Sequence, residues 1–501
     1  MIPLPEDFRA QMRSQLGADE AEALFRALEE EPPVSIRLNP RKCPLPPPPS
    51  GGGREEATSV TLNKGYLEAS PGGGRWEGAD KVPWCETGRY LSERPQFTLN
   101  PLFHAGCYYV QEASSMAVEQ ACKAIQADAS LVTCPSSLRV LDLCAAPGGK
   151  STLWASLLQD ALLVCNEPVR QRAQVLAENM AKWGAPDVVV TNAYPADFAS
   201  LPDFFDIIAA DVPCSGEGMF RKDEGARAEW SAENVRMCAA RQMDIVRDVW
   251  PALRPGGYMV YSTCTFNRLE NEDNVRCICE ELGAELVPIS FLAEGLSFNS
   301  GFHFYPHRTR GEGFFIALLR KKSQFPASGE QEASRGEDIK VKKKLSRHKG
   351  HLKASPGGGA LNGALAQWLR TPEDFQLYTP DDERVYALRR THFDEATTLF
   401  AALRSHVWEP GILLARRKGN KWQPAAPLAL STELAPDAFS RAELSFDDAL
   451  SYLRRAALVL GTGVPCGYVL VCFEGHPLGF VNNLGSRANN LYPAEWRIRH
   501  L

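Results

Sequence analysis

Between residues 101 and 320, short apolar runs alternate with helical stretches, and this alternation limits the fold more than any other feature of the chain. Apolar runs fall at 139–144, 161–166, 187–191, 206–211, 257–263 and 313–319. Amphipathic stretches such as RQRAQVLAENMAKWG and ENVRMCAARQMDIVRDVWPAL lie between most of them. The pattern predicts an α/β sandwich around a largely parallel sheet, because parallel neighbours need a crossover and a helix supplies it. In such a sheet ligands bind beyond the carboxyl ends of the strands. The residues that close each apolar run are therefore the candidate site residues.

The first run opens into LDLCAAPGGKST, residues 141–152. A phosphate-binding P-loop needs Gly-x-x-x-x-Gly-Lys-[Ser/Thr]. Counting back from Gly149, the position of the leading glycine holds Cys144, so the ATPase reading loses its first turn. Gly148 and Gly149 still let backbone amides approach a ligand closely, and the helix expected from Lys150 points its positive end there. The second run ends VCNE and places Glu167 about twenty residues downstream, where a carboxylate suits the hydroxyls of an adenosine ribose. Its competing role is to cap the helix beginning near Val169. The fourth run ends in Asp211 and continues VPCSGEGMFRKD. That imitates a Walker B strand but leaves Pro213–Cys214 without a purpose. The fifth, GYMVYSTCTFN, ends with Thr263–Cys264. Two cysteines at the ends of neighbouring strands thus face one crevice, beside an acid, a glycine loop and a ribose-type carboxylate.

A thiol, an acid and a nucleoside cofactor suit one reaction well. Carbon 5 of cytosine is a poor nucleophile while the ring is aromatic. A thiolate adding at carbon 6 breaks the aromaticity and leaves an enamine-like carbon 5 that can accept a methyl group from a sulfonium donor. This is covalent catalysis, one hard step divided into two. An acid at ring N3 stabilises the developing charge. A second group must then help remove the carbon-5 proton and expel the thiol.

Taken together, CAAPGGK, DVPCSGEG and STCT resemble the Nol/Nop/Sun family of RNA 5-methylcytosine methyltransferases. EPPVSIRLNP, YYVQEASSM and YPHRTRGEGFF look like its bacterial RsmF-type branch, which acts on ribosomal RNA. The resemblance covers nearly the whole chain and is densest from 101 to 320. It implies a Rossmann-like class I methyltransferase domain with a mostly parallel seven-stranded sheet, a small N-terminal α/β extension and a C-terminal PUA-like β-rich module. Carried over by position, it implies Cys264 as nucleophile and Cys214 as the group that assists product release. Asp211 would contact the target base and the donor side of the site. Cys144, Ala145, Ala146, Pro147, Gly148, Gly149 and Lys150 would hold S-adenosyl-L-methionine, with Glu167 on its ribose. Lys150 can also favour the thiolate. The sequence departs from the family pattern in TNAYPADF, where Tyr194 stands in place of the usual adenine-contacting Asp. Asn192 or Tyr194 would have to replace it.

Composition sets the remaining bounds. With 501 residues, 44% hydrophobic and 23% charged, the chain has an ordinary globular composition and room for several domains. A net charge of −6 excludes a uniformly basic nucleic-acid binder but not a local basic groove. The most apolar stretch, Ala457 to Phe473, is broken by Gly461, Gly463, Pro465 and Gly467, so no membrane span is expected. The opening MIPLPEDFRA has no basic-then-apolar signal pattern. Fourteen cysteines include no Cys-x-x-Cys pair, so no metal site is expected; Cys277 and Cys279 would diverge on a helix. Free thiols in a reducing cytoplasm are the expectation.

The chain divides by composition into five parts, and the resemblance implies what each of them is. Residues 1–100 form an N-terminal RNA-binding extension with a helix pair, the strand-like PPVSIRLNPRK, the loop CPLPPPPSGGG and the aromatic and basic residues Trp76, Trp84, Tyr90 and Arg94. Residues 101–320 form the methyltransferase domain, and 321–359 a charged linker containing KVKKKLSRHKGHLK. A small connecting domain at 360–435 and a PUA-like RNA-binding module at 436–501 complete it. Arg487, Asn489, Asn490, Arg497 and Arg499 give the last module donors for RNA. Arg221 and Lys222 either meet phosphates near the site or pair with Asp223 and Glu224. Expected partners are RNA, with ribosomal RNA or the small ribosomal subunit foremost; no membrane and no second copy are expected. The competing readings are the same chemistry on transfer RNA and a non-catalytic RNA-binding assembly factor that keeps the donor fold. The pair of cysteines argues against the second.

Overall fold

The structure is a computed structural model that describes residues 2–43, 79–128, 138–289, 300–323 and 363–499. The loop expected at 44–53, Trp76 and the linker from 324 onward lie outside the described residues. The N-terminal segment opens with helices Glu6–Leu16 and Ala18–Leu28, joined at Gly17 with φ 84°. Their apolar faces bury Phe8, Met12, Leu24 and Phe25 against Phe220, Trp230, Phe266 and Tyr305. The helix pair therefore packs on the segments that follow the two cysteines. Strands β1 (Val34–Leu38), β2 (Gly88–Leu91) and β3 (Tyr108–Val110) form an antiparallel sheet in the order β2-β1-β3.

The central sheet starts with β4 (Arg139–Asp142), β5 (Leu162–Asn166), β6 (Val188–Thr191), β7 (Phe205–Asp211) and β8 (Leu253–Thr263). These five are parallel and lie in the spatial order β6-β5-β4-β7-β8. That is a doubly wound arrangement whose chain order reverses between β4 and β7, the place where such sheets bind ligands. LLVCN and VVVT are buried along their whole length, as strands covered by helices on both faces must be. Strands β9 (Ala284–Val287), β10 (Phe302–Phe304) and β11 (Phe314–Lys321) extend the β8 side in antiparallel fashion.

Among the described residues the sheet has nine strands where seven were expected. The most distant addition comes after β12 (Phe375–Asp381) and β13 (Arg384–Arg389): β14 (Val407–Pro410) pairs antiparallel with β6. It covers an edge whose amides and carbonyls would otherwise lack partners. Its sequence, VWEP, is short and carries no apolar run, which is why the pattern does not reveal it.

Strands β12, β13, β15 (Ile412–Lys418) and β16 (Lys421–Pro424) form a second antiparallel sheet. Its Tyr378, Tyr386 and Leu388 share one core with Leu141, Val164 and Phe198 of the methyltransferase-like domain. The last sheet contains β17 (Ser440–Glu443), β18 (Gly467–Phe473), β19 (His476–Asn483) and β20 (Ala488–Asn490). Val469, Val471 and Leu478 there pack with Ile36, Leu38 and Tyr108 of the N-terminal sheet. Among the described residues, no helix is long and apolar enough to cross a membrane.

Candidate active site

The catalytic and donor-binding residues expected from the sequence, Cys144 to Lys150, Glu167, Asp211, Cys214 and Cys264, lie at or just beyond the carboxyl ends of β4, β5, β7 and β8. After β4 the chain turns through Leu143 to Pro147 into Gly148, whose φ of 113° is left-handed and so favours glycine. A side chain at Gly148 would also crowd Leu176 at 3.3 Å. The helix Gly149–Leu157 begins there, one residue earlier than expected. Its first turn is anchored from outside the domain: the buried Arg37 of β1 donates to the carbonyl of Gly149 at 3.2 Å and to the hydroxyl of Thr152. Ala145 and Ala146 are buried, and Cys144 is half-buried.

Lys150 reaches across the crevice to Asp211, Nζ to Oδ2 2.9 Å. The other oxygen of Asp211 accepts from the Ser262 hydroxyl at 2.8 Å. Burial is the largest single effect and opposes the charge on Lys150, but Asp211, Cys264 and Asp142 together hold the ammonium above its ordinary value. Beneath it, burial pushes the Asp142 carboxyl up to about 7, against the bond from the Ser151 hydroxyl and with help from the Asp211 charge.

The two cysteines meet. Cys214 Sγ and Cys264 Sγ are 3.2 Å apart, at the ends of loops that leave β7 and β8. The bond with Cys264, then burial, pushes the Cys214 thiol far up, and the Cys264 and Glu270 charges act in the same direction. Cys214 therefore keeps its proton.

Two buried carboxylates hold this geometry, and neither was found from the sequence. Glu217 accepts from the backbone amides of Phe266 at 2.7 Å and Asn267 at 3.0 Å, and from the Trp230 indole at 3.1 Å. Glu270 accepts from the Ser215 amide at 3.0 Å, the Gln242 side chain at 2.6 Å and the Asn267 side chain at 2.7 Å. Each belongs to one cysteine loop and bonds to the other. Glu217 lies within the motif SGEG, where a glutamate between glycines in a loop was the available signal; Glu270, in NRLENEDN, reads as an ordinary solvated residue.

Glu167 is buried and both of its oxygens are engaged. One accepts from the Val169 amide at 2.9 Å, the capping role weighed against ligand binding, and the other pairs with Arg172 at 3.1 Å. Arg172 also donates to the Ala146 carbonyl at 3.0 Å, so it ties Glu167 to the glycine loop. The side-chain amide of Asn192 is spent on the carbonyls of Glu167 and Pro168, at 2.7 and 2.9 Å. Tyr194, 66% exposed, remains available.

The basic residues after Cys214 find partners in other segments. Arg221 is buried and donates to the carbonyls of Glu30, Glu31 and Gly311, and Lys222 pairs with Glu312. Of the terminal donors, Arg487, Asn489, Arg497 and Arg499 are exposed. Asn490 instead bonds the carbonyls of Tyr452 and Ala456. Asn489 and Arg499 line a groove of about 1090 Å³ together with Arg416 and Lys418 of β15.

Comparison with known proteins identifies the family. The family profile described as 16S rRNA methyltransferase RsmB/F matches residues 131–320. The RsmF PUA-domain profile matches 439–498, and that of the N-terminal domain of 16S rRNA methyltransferase RsmF matches 55–113. Ribosomal RNA small subunit methyltransferase F of Escherichia coli O7:K1 is 33% identical over 429 residues, 83% of this chain and 84% of that protein. The protein of the same name from Erwinia tasmaniensis is 30% identical over 428 residues, with the same coverage of 83% and 84%. Among solved structures, that of PH0851 shares the fold, with a TM-score of 0.50 and 23% identity over 64% of this chain and 66% of that one. By extent and identity of these matches, the chain belongs to the RsmB/F family of 16S rRNA methyltransferases.

Proposed function

We propose that the protein transfers a methyl group from S-adenosyl-L-methionine to carbon 5 of a cytosine in RNA, through a covalent adduct on Cys264. The single observation that carries this reading is the thiol pair Cys214–Cys264, 3.2 Å apart beside the Lys150–Asp211 ion pair. An ATPase has no use for such a pair, and a non-catalytic binding factor has no reason to hold two thiols at the mouth of its crevice. Small-subunit ribosomal RNA is the proposed substrate, on the strength of relatives named for it.

The residues at the ends of β4 and β5 fit the methyl donor. The left-handed turn at Gly148 brings backbone close to a ligand, and the buried Glu167 carboxylate sits one strand away, tied to the loop through Arg172. When bound there, S-adenosylmethionine supplies an electrophilic methyl group. Cys144 to Lys150 would hold it, with Glu167 on the ribose and Tyr194 toward the adenine.

The chain's own groups do the rest. Lys150 favours the Cys264 thiolate, which bonds to carbon 6 of the flipped-out cytosine while Asp211 and Lys150 supply hydrogen bonding and a proton at ring N3. Carbon 5, now enamine-like, takes the methyl group. Bonding of Cys264 to carbon 6 removes the neighbour that holds the Cys214 proton in place, so Cys214 can ionise and take the carbon-5 proton; carbon 6 then releases Cys264 as a thiolate, ring N3 returns its proton to the Lys150–Asp211 pair, and the ring regains its aromaticity. Glu217 and Glu270 position both thiols without touching the base.

The N-terminal extension, the connecting sheet and the PUA-like module serve to grip RNA, as a monomer in the cytoplasm. Bisulfite mapping of ribosomal and transfer RNA from a strain lacking the gene tests the reaction and the substrate together. Loss of protection at a small-subunit cytosine, restored by the wild-type gene, is expected. Unchanged ribosomal RNA with loss in transfer RNA would overturn the substrate, and no change in either would overturn the reaction.

A further inference from the structure

Cys43, Cys107 and His476 come from three distant segments, yet their donor atoms all lie within 4.8 Å of one another. Among the described residues, no other three His, Cys, Asp or Glu side chains gather in this way. Cys43 closes the turn after β1, its amide bonded to the Asn39 carbonyl at 2.8 Å. Cys107 precedes β3, and its carbonyl accepts from the Asn39 amide at 2.8 Å. His476 is the first residue of β19. Cys107 is buried; Cys43 and His476 are half-buried. The cluster sits where the N-terminal and C-terminal sheets share a core.

We propose that Cys43, Cys107 and His476 form a structural zinc(II) site that fastens the C-terminal sheet to the N-terminal one. Two thiolates and an imidazole are ligands that zinc favours over lighter divalent metals. Zinc–sulfur and zinc–nitrogen bonds of about 2.3 and 2.0–2.1 Å in a tetrahedron place donors about 3.5–3.8 Å apart. Donors already within 4.8 Å close to that spacing by small side-chain adjustments.

Glu474 lies two residues before His476 in the hairpin between β18 and β19, outside the cluster of three donors. One of its carboxylate oxygens is buried without a hydrogen-bond partner, so a small movement of the hairpin would let it, or a water, complete the tetrahedron. Lys42, next to Cys43, is anchored on the carbonyls of Ala105 and Lys182 at 2.7 and 2.6 Å. The site shares no residue with the methyl-transfer crevice. Spacing rules could not reveal it, because its cysteines are separated by most of the N-terminal segment and its histidine lies near the far end of the chain.

Elemental analysis of the full chain, purified in reductant without chelator from zinc-supplemented cells, is expected to find about one zinc per molecule. Replacing that zinc with cobalt(II) should give the thiolate charge-transfer band and the intense d–d bands of a tetrahedral site. In competition with a chromogenic chelator, C43S, C107S and H476Q should each weaken zinc by more than the roughly 10–100-fold typical of losing an outer-shell partner. C214S/C264S should keep its zinc. If C107S fails to fold, the wild-type cobalt spectrum and H476Q still decide. No zinc and no cobalt band in the wild type would overturn the proposal. So would zinc lost from C214S/C264S but kept in C43S, or a Cys43–Cys107 disulfide in the reduced preparation.

Discussion

Glu217 and Asn267 are joined twice: the Asn267 backbone amide reaches one carboxylate oxygen at 3.0 Å, and its side-chain amide reaches the other at 3.2 Å. Through this contact the loop that follows Cys214 holds the loop that follows Cys264. The thiols are thus placed before any RNA arrives, which is how a covalent catalyst avoids losing rate to misplacement. Glu217→Ala would leave several buried donors without partners, each costing about 1–3 kcal/mol. A loss of roughly 3 kcal/mol or more in urea unfolding is expected. In protein that remains folded, methyl transfer should slow while S-adenosylmethionine affinity stays unchanged.

Donor binding should depend on Glu167. Its carboxylate is buried and linked to the glycine loop through Arg172. Glu167→Ala removes charge-assisted hydrogen bonds worth about 1.5–3 kcal/mol, so calorimetry should show S-adenosylmethionine weakened about ten- to a hundredfold. ATP should bind neither protein.

Asp142 gives the fold a pH signature. Burial raises its carboxyl from an ordinary 3.8 to about 7, so the folded state favours the protonated form. The stabilisation is complete below the unfolded value and is lost as pH rises through the folded one. Stability attributable to this group should therefore fall between about pH 4 and pH 7, by at most about 1.4 kcal/mol per pH unit. Asp142→Asn keeps a hydrogen-bond acceptor for Ser151 and removes the charge. Urea unfolding across this range should show a flatter profile than the wild type, with the variant relatively more stable at alkaline pH.

The C-terminal part is not a detachable attachment. Strand β14 pairs with β6, and Tyr378, Tyr386 and Leu388 complete the core beneath the methyltransferase sheet. A chain truncated after residue 325 exposes that edge and that apolar face. It should aggregate or melt well below the full chain, as thermal denaturation followed by light scattering would report. A truncated chain as stable as the full one would contradict this packing.

What the sequence reveals and what it hides follow from distance along the chain. The six apolar runs match β4, β5, β6, β7, β8 and β11 because local periodicity encodes burial. The crevice residues were legible because parallel topology sends the end of every strand to one place. Contacts between distant segments left no such trace. Arg221 resembles a phosphate contact in sequence, yet carbonyls contributed by Glu30, Glu31 and Gly311 enclose it. Glu270 resembles a solvated residue, yet it anchors Ser215. The trio Cys43, Cys107 and His476 exists only once two sheets have met.

Denaturing electrophoresis of the two cysteine variants after incubation with substrate RNA and S-adenosylmethionine tests the central claim most directly. If Cys264 attacks carbon 6 and Cys214 acts only after methyl transfer, Cys214→Ala still forms the adduct but cannot release it. A slow-migrating, nuclease-sensitive band is expected for Cys214→Ala, and none for Cys264→Ala or the double variant. A band from Cys264→Ala instead would exchange the two roles. No band from either variant, both being folded, would contradict the covalent mechanism.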